Sequence, residues 1–202
     1  MGLPLRSRTV QRKLLRTDSA DKAAGHGEGT GGNGSSIEWV VDQPGLRLGL
    51  GDSVNYTGDA DLVFTHVYGP LPQQLIGKPA IINVFGNKKA RAEEWCGADL
   101  HEVSKWAKGL TNTVYVANMP PAKLDLTHLI EDEFAPGRGW FPLELADVLL
   151  KTFLRGADEA TVFDGFMGRA TTGAAARKWR MNYVGIDRDP ARVAIAREYL
   201  NV

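Results

Sequence analysis

The stretch Asp164-Gly165-Phe166-Met167-Gly168-Arg169-Ala170-Thr171-Thr172 carries residue types that can hold a small ligand. A hydrophobic run, Ala160–Phe163, enters a turn with Asp164, Gly165 and Gly168, and a helix is expected from Thr171. Glycines let a ligand approach the backbone, and a helix N-terminus offers N–H groups without helical partners. The next apolar run, Tyr183-Val184-Gly185-Ile186, ends at Asp187. A carboxylate about 20 residues after such a turn is suited to ribose hydroxyls. The G-x-G-x-x-G pattern of dinucleotide sites is absent here, as is the G-x-x-x-x-G-K-[ST] of phosphate loops. The competing reading is a tight strand–helix turn that binds nothing.

A second segment has a different character. The apolar run Asp61-Leu62-Val63-Phe64-Thr65 leads into His66-Val67-Tyr68-Gly69-Pro70. A neutral imidazole accepts a hydrogen bond at one nitrogen. At a strand's carboxyl end it would sit where ligands bind in open α/β sheets. The alternative for an isolated histidine is a hydrogen-bonded structural role.

The elements that must position these residues alternate between strand and helix. Leu46–Gly51, Asp61–Thr65, Thr113–Ala117, Ala160–Phe163 and Asn182–Ile186 read as strands. Ala80–Phe85 is a strand or a buried loop segment. Asp99–Leu110 is expected to be a helix, with Leu100, Val103, Trp106 and Ala107 at helical spacing. Leu143–Leu154, opened by Pro142, Thr171–Trp179 and Pro190–Leu200 are further helices. Such alternation predicts an α/β fold with a mostly parallel sheet and helices on both faces.

These motifs together resemble the DNA amino-methyltransferases that modify adenine N6 or cytosine N4, in their circularly permuted, beta-type order. That family's first motif reads roughly D-P-F-x-G-S-G-T-T. Here Asp164, Phe166, Gly168, Thr171 and Thr172 match it, while Gly165, Arg169 and Ala170 replace its Pro, Ser and second Gly. The run from Tyr183 through Asp187 and Arg188 to Ala196 is similar to the family's next strand and helix. Trp140-Phe141-Pro142-Leu143-Glu144-Leu145 is similar to its K-P-x-x-L helix entry, with Phe141 in place of Lys. Gly51-Asp52-Ser53 is similar to the segment that opens permuted members. The chain stops after the helix at Pro190, so the third strand of such a sheet is expected from this earlier segment, Leu46–Ser53.

The resemblance implies a Rossmann-like, S-adenosylmethionine-dependent fold. Asp52, Phe141, Pro142, Asp164, Gly165, Phe166, Gly168, Thr171, Thr172, Asp187 and Arg188 would surround the cofactor, with Asp52 at its adenine. The family's catalytic motif is Asp/Asn/Ser-Pro-Pro-Tyr. Its acceptor takes hydrogen bonds from the exocyclic amine, and its aromatic ring stacks on a flipped base. Thr65, His66 and Tyr68 occupy that position, but both prolines are gone, and the acceptor is His66 or Thr65 depending on where the gap falls. A variant active enzyme, a degenerate domain kept for binding DNA or protein, and a methyltransferase for another substrate are therefore all carried forward. Small orphan enzymes of this type, as the resemblance implies, occur in phages and mobile elements.

Bulk properties narrow the rest. The 202 residues suit one well-buried domain plus a tail. Net charge is zero, so DNA contact must come from local clustering. The lone Cys96 excludes an intrachain disulfide and argues against a Cys-based zinc site. No apolar run reaches the roughly 20 residues of a membrane span, and the start lacks a signal-peptide pattern, so a cytoplasmic location is expected. Residues 1–36 form a separate arm ahead of the 37–202 domain. Arg6, Arg8, Arg12, Lys13 and Arg16 make it basic, and a Gly/Ser-rich stretch follows. The arm is either a phosphate contact for DNA or a solvated tail. His101, His128, Glu93-Glu94, Glu131-Asp132-Glu133 and the tryptophans read as surface or packing residues, and Lys88-Lys89 with Arg91 as a solvated face able to touch phosphate. Between Ala117 and Pro142 there is too little chain for a separate recognition domain, which implies weak sequence specificity or a partner.

Overall fold

The computed structural model describes residues 36–66, 68–106, 112–126 and 141–202. The basic arm up to residue 35, Val67, His128 and Glu131-Asp132-Glu133 lie outside the described residues. The strands are β1 (Glu38–Gln43), β2 (Leu46–Leu50), β3 (Leu62–His66), β4 (Ala80–Phe85), β5 (His101–Trp106), β6 (Asn112–Ala117), β7 (Thr161–Asp164) and β8 (Asn182–Asp187). The helices are α1 (Lys89–Cys96), α2 (Leu143–Phe153), α3 (Thr171–Lys178) and α4 (Pro190–Leu200).

The strands make one sheet in the order β1-β2-β8-β7-β3-β4-β6-β5. From β2 to β4 every neighbouring pair is parallel, whereas β1 and the β6–β5 pair run antiparallel at the two sides. The central strands read as nearly continuous apolar runs because both faces are covered. In β3, Leu62 and Phe64 enter one core and Val63 the other. In β4, Ile81 faces the first core, and Ala80, Ile82 and Val84 the second. Helices α2, α3 and α4 cover the first face through Leu145, Leu149, Ala175, Ala176, Val193 and Ala196. Helix α1 and the short turns around Tyr56 and Leu75 cover the second.

Two elements differ from expectation. The helix expected over 99–110 is replaced in its described part: His101–Trp106 is strand β5, paired antiparallel with β6. The cause lies in the two covered faces of the sheet. Leu100, just before β5, and Val103 are both buried but in opposite cores, so a spacing of three that is helical in sequence is strand alternation here. Strand β1, which sequence reading missed, joins β2 through Pro44-Gly45, with Gly45 at φ +78°. Pro followed by a positive-φ glycine is the chemistry of a type II turn. Ala80–Phe85 proves to be an inner strand, and Pro142 caps α2 rather than entering its first turn. Among the described residues, no helix is long and apolar enough to cross a membrane.

Candidate active site

Because β2, β8, β7, β3 and β4 run parallel, their carboxyl ends share one edge. The chain passes from β3 outward to β4, and from β7 outward in the opposite direction to β8. A reversal of this kind opens a crevice between the two inner strands, the usual ligand position in such sheets. Here those strands are β7 and β3. Asp164 ends β7, and His66 ends β3.

On the β7 side, buried contacts shape the glycine turn. Asp164 is 1% exposed. Its Oδ1 accepts from the Phe166 amide at 3.1 Å and its Oδ2 from the Tyr183 hydroxyl at 3.3 Å. Burial pushes the Asp164 carboxyl up to about 7, against the lowering effect of the Phe166, Thr172 and Tyr183 hydrogen bonds. The Tyr183 hydroxyl is raised well above its ordinary value by the same burial and stays a donor. Thr171 and Thr172 are buried at the start of α3, and Thr171 Oγ1 accepts from Arg169 Nε at 3.0 Å. A side chain on Gly165 would meet Ser53 at 3.0 Å, so the turn packs closely on the segment after β2. Gly168 has φ +53°, and a Cβ there would meet nothing within 4 Å. Its surface is open.

Asp187 and Asp52 continue the edge. Asp187 Oδ2 accepts from the Gly168 amide and Oδ1 from the Asp189 amide, both at 3.0 Å. Each carboxylate oxygen keeps a further lone pair. Asp52 Oδ2 pairs with Arg188 at 2.5 Å, joining the ends of β2 and β8.

On the β3 side, His66 is buried among aromatic rings. Phe85 lies nearly parallel at 6.0 Å, and Phe141 meets the ring edge-on at 5.4 Å. Tyr68 is 6.1 Å from His66 and 55% exposed. Burial lowers the His66 pKa to about 4, so the ring is neutral at pH 7. Its Nδ1 faces Asn83 Nδ2 at 3.1 Å. An amide N–H only donates, so Nδ1 is the acceptor of this pair. The acceptor capacity expected of a neutral His66 is thus already engaged. Thr65 Oγ1 donates to the His66 carbonyl at 3.2 Å. The two sides meet where the Phe166 and Tyr68 rings pack at 5.7 Å, and a Cβ on Gly69 would strike Phe166 at 2.9 Å.

The expected residues therefore gather along one edge. Asp164 and Thr172 support the turn from below, Pro142 stands at the entry to α2, and Phe141 packs on His66. Sequence reading missed Ser53, Asn83, Phe85 and Tyr183. Asn83 carries a readable signal, since an amide inside the apolar run Ala80–Phe85 needs a buried partner. His101 and the Glu93-Glu94 pair lie elsewhere: His101 is exposed on β5, and Glu93 pairs with Lys89 on α1.

A family model described as DNA methylase, N6_N4_Mtase, matches residues 87–198, just over half of the chain. The chain belongs to this DNA methylase family. The matched region runs from α1 through the glycine turn, Asp187 and most of α4. No curated protein matches the sequence. Solved methylase structures share the fold. M1.HpyAVI superposes with a TM-score of 0.53 at 15% identity, covering 71% of this chain and 89% of its own. The cytosine-N4-specific PvuII DNA methyltransferase gives 0.54 at 16% identity, over 76% of this chain and 86% of its own. A protein of Thermus thermophilus, described as a DNA modification methylase and solved with S-adenosyl-L-methionine, gives 0.50 at 19%, over 77% and 94%. The chain thus has the Rossmann-like fold of these methylases, with the antiparallel β6–β5 pair at one side of the sheet.

Proposed function

We propose that this member of the DNA methylase family transfers a methyl group from S-adenosylmethionine to an exocyclic amine of DNA, adenine N6 or cytosine N4, with little sequence specificity. The observation that carries this reading is the meeting of the glycine turn with the His66–Tyr68 segment across the β7–β3 crevice. The residues fit such a cofactor. The open face of Gly168, the acceptors of Asp187 and the Asp52–Arg188 pair offer a bare backbone, a ribose partner and a polar end in sequence. The cofactor supplies an electrophilic methyl on a sulfonium and leaves as a neutral thioether.

The chain's own residues orient the reaction. Tyr68, exposed beside Phe85 and Phe166, offers a ring face for a flipped base. A base held against Tyr68 would present its exocyclic amine as the nucleophile for that methyl, and the methylated amine would release its proton to water. Holding both partners in one crevice supplies much of the rate. The order of segments, Asp52 and His66 before the glycine turn, is read as the permuted arrangement, and the basic arm as a DNA phosphate contact.

A second reading is a fold retained for binding. It is favoured by His66, whose acceptor nitrogen is engaged where the family carries Asp, Asn or Ser. Mass spectrometry of nucleosides from DNA incubated with the full chain and the cofactor separates the two. Methyladenine or N4-methylcytosine is the expected product. Cofactor binding by calorimetry without either product sinks the catalytic reading in favour of the retained fold, and the absence of cofactor binding sinks the catalytic reading as well.

A further inference from the structure

The residue that stands in for the family's acceptor has been turned into a donor by its neighbour. His66 Nδ1 lies 3.1 Å from the Asn83 amide nitrogen, and Asn83 is fully buried on the adjacent strand β4. A neutral imidazole has one acceptor nitrogen and one N–H. With Nδ1 accepting, the proton sits on Nε2. Among the described residues, no buried side-chain nitrogen or oxygen lacks a partner. No hydrogen bond to Nε2 is made there either, and His66 is 9% exposed. Nε2 is thus the ring nitrogen that is not sealed inside the protein. Phe85 nearly parallel to the ring and Phe141 against its edge restrict it to this orientation.

We propose that Asn83 is a positioning residue that holds His66 as the Nε2–H tautomer, so that His66 engages the target base through a ring-nitrogen acceptor beside the exocyclic amine rather than through the amine protons. The inference rests on the proposed function for its substrate. It deepens that reading by saying which bases fit. Adenine N1 and cytosine N3 are acceptors next to the amine-bearing carbon. Guanine N1 and thymine N3 carry protons there, and two facing donors leave both unsatisfied. The donor at His66 therefore admits the two amine bases and rejects the others without a recognition domain. The lowered basicity of the buried ring acts in the same sense, since it keeps Nδ1 unprotonated at neutral pH.

Two measurements test this. Heteronuclear NMR of the imidazole nitrogens in the full chain, with His66 assigned by its loss in His66→Gln, reads the tautomer directly at neutral pH. A proton on Nε2 is expected, with the bias lost in Asn83→Leu. A proton on Nδ1, or a charged ring, overturns the proposal. The wild-type spectrum decides this even if Asn83→Leu fails to fold. The second measurement compares binding of single-stranded oligonucleotides that carry adenine and cytosine with ones that carry 1-deazaadenine and 3-deazacytosine, which keep the amine and lose the ring acceptor. A loss of about fivefold to tenfold is expected for wild type, and none for His66→Phe. Equal affinity of wild type for both overturns the base contact. If the chain binds neither oligonucleotide, the proposed function and the base contact fail together, and the tautomer still decides the role of Asn83.

Discussion

Asp187 makes two backbone hydrogen bonds, to Gly168 and Asp189, while it stands at the edge expected to receive a ribose. Its carboxylate therefore has two tasks: it fixes the glycine turn and it offers remaining lone pairs to a ligand. Replacing it with Ala removes both. Calorimetry of Asp187→Ala with S-adenosylmethionine is expected to show affinity lower by about tenfold or more, since charge-assisted hydrogen bonds are the stronger class. Unchanged affinity would place the ribose elsewhere. The neighbouring Asp52–Arg188 pair is different in weight. Arg188 is 67% exposed in its side chain, and exposed pairs contribute at most about 1 kcal/mol. Its importance is to line the crevice, not to hold the sheet.

At the scale of elements, α3 shows how packing overrides propensity. Gly173 lies inside the helix, where Ala would ordinarily be better by about 1 kcal/mol. Yet a Cβ there would come 2.6 Å from Tyr183 Cε1, and Tyr183 is fully buried. The same ring fills the space over Gly185 and carries the hydroxyl that holds Asp164. Gly173→Ala is therefore expected to destabilise by about 1–3 kcal/mol, read as a lower urea midpoint with an unchanged slope. A stabilised variant would show that α3 can shift away from Tyr183. The bulged β5 teaches the reverse lesson about reading period. The apolar spacing of three at Leu100 and Val103 is helical in sequence, and only pairing with β6, which sends the two into opposite cores, reveals a strand.

For the whole molecule, two buried groups oppose each other in pH dependence. The His66 pKa falls from 6.5 to about 4 on folding, so the unfolded chain takes up a proton that the folded chain refuses. That contribution is lost as pH falls from 6.5 to about 4, by roughly 3 kcal/mol at most. The Asp164 pKa rises from 3.8 to about 7, so the folded chain keeps a proton the unfolded chain releases. That contribution is present below 3.8 and lost as pH rises toward about 7, with similar magnitude. Across the shared window the slopes cancel. Urea unfolding at several pH values is expected to show this in variants. Relative to wild type, Asp164→Asn should lose stability on acidification below about pH 6.5, and His66→Gln should gain it below about pH 7. Parallel profiles for all three would remove the opposition.

The sequence by itself determined much of the β7–β8 edge and little of the β3 edge. The glycine turn, Asp187 and the strands before them are local features, in which glycine placement and apolar runs act on their immediate neighbours. They stand in the structure where the residues predicted them, and so do α2, α3 and α4. Asn83 beside His66, Phe85 along its face, Tyr183 under Asp164 and Ser53 against Gly165 come from segments 17 to more than 100 residues apart, and no short-range pattern links them. The parallel pairings of β3 with β4, of β7 with β8 and of β2 with β8 bring them together. The tertiary structure likewise decided what His66 offers. A histidine in a sequence has two interchangeable nitrogens, and it is the buried amide across the strand that leaves one to accept inside the protein and the other to donate into the crevice.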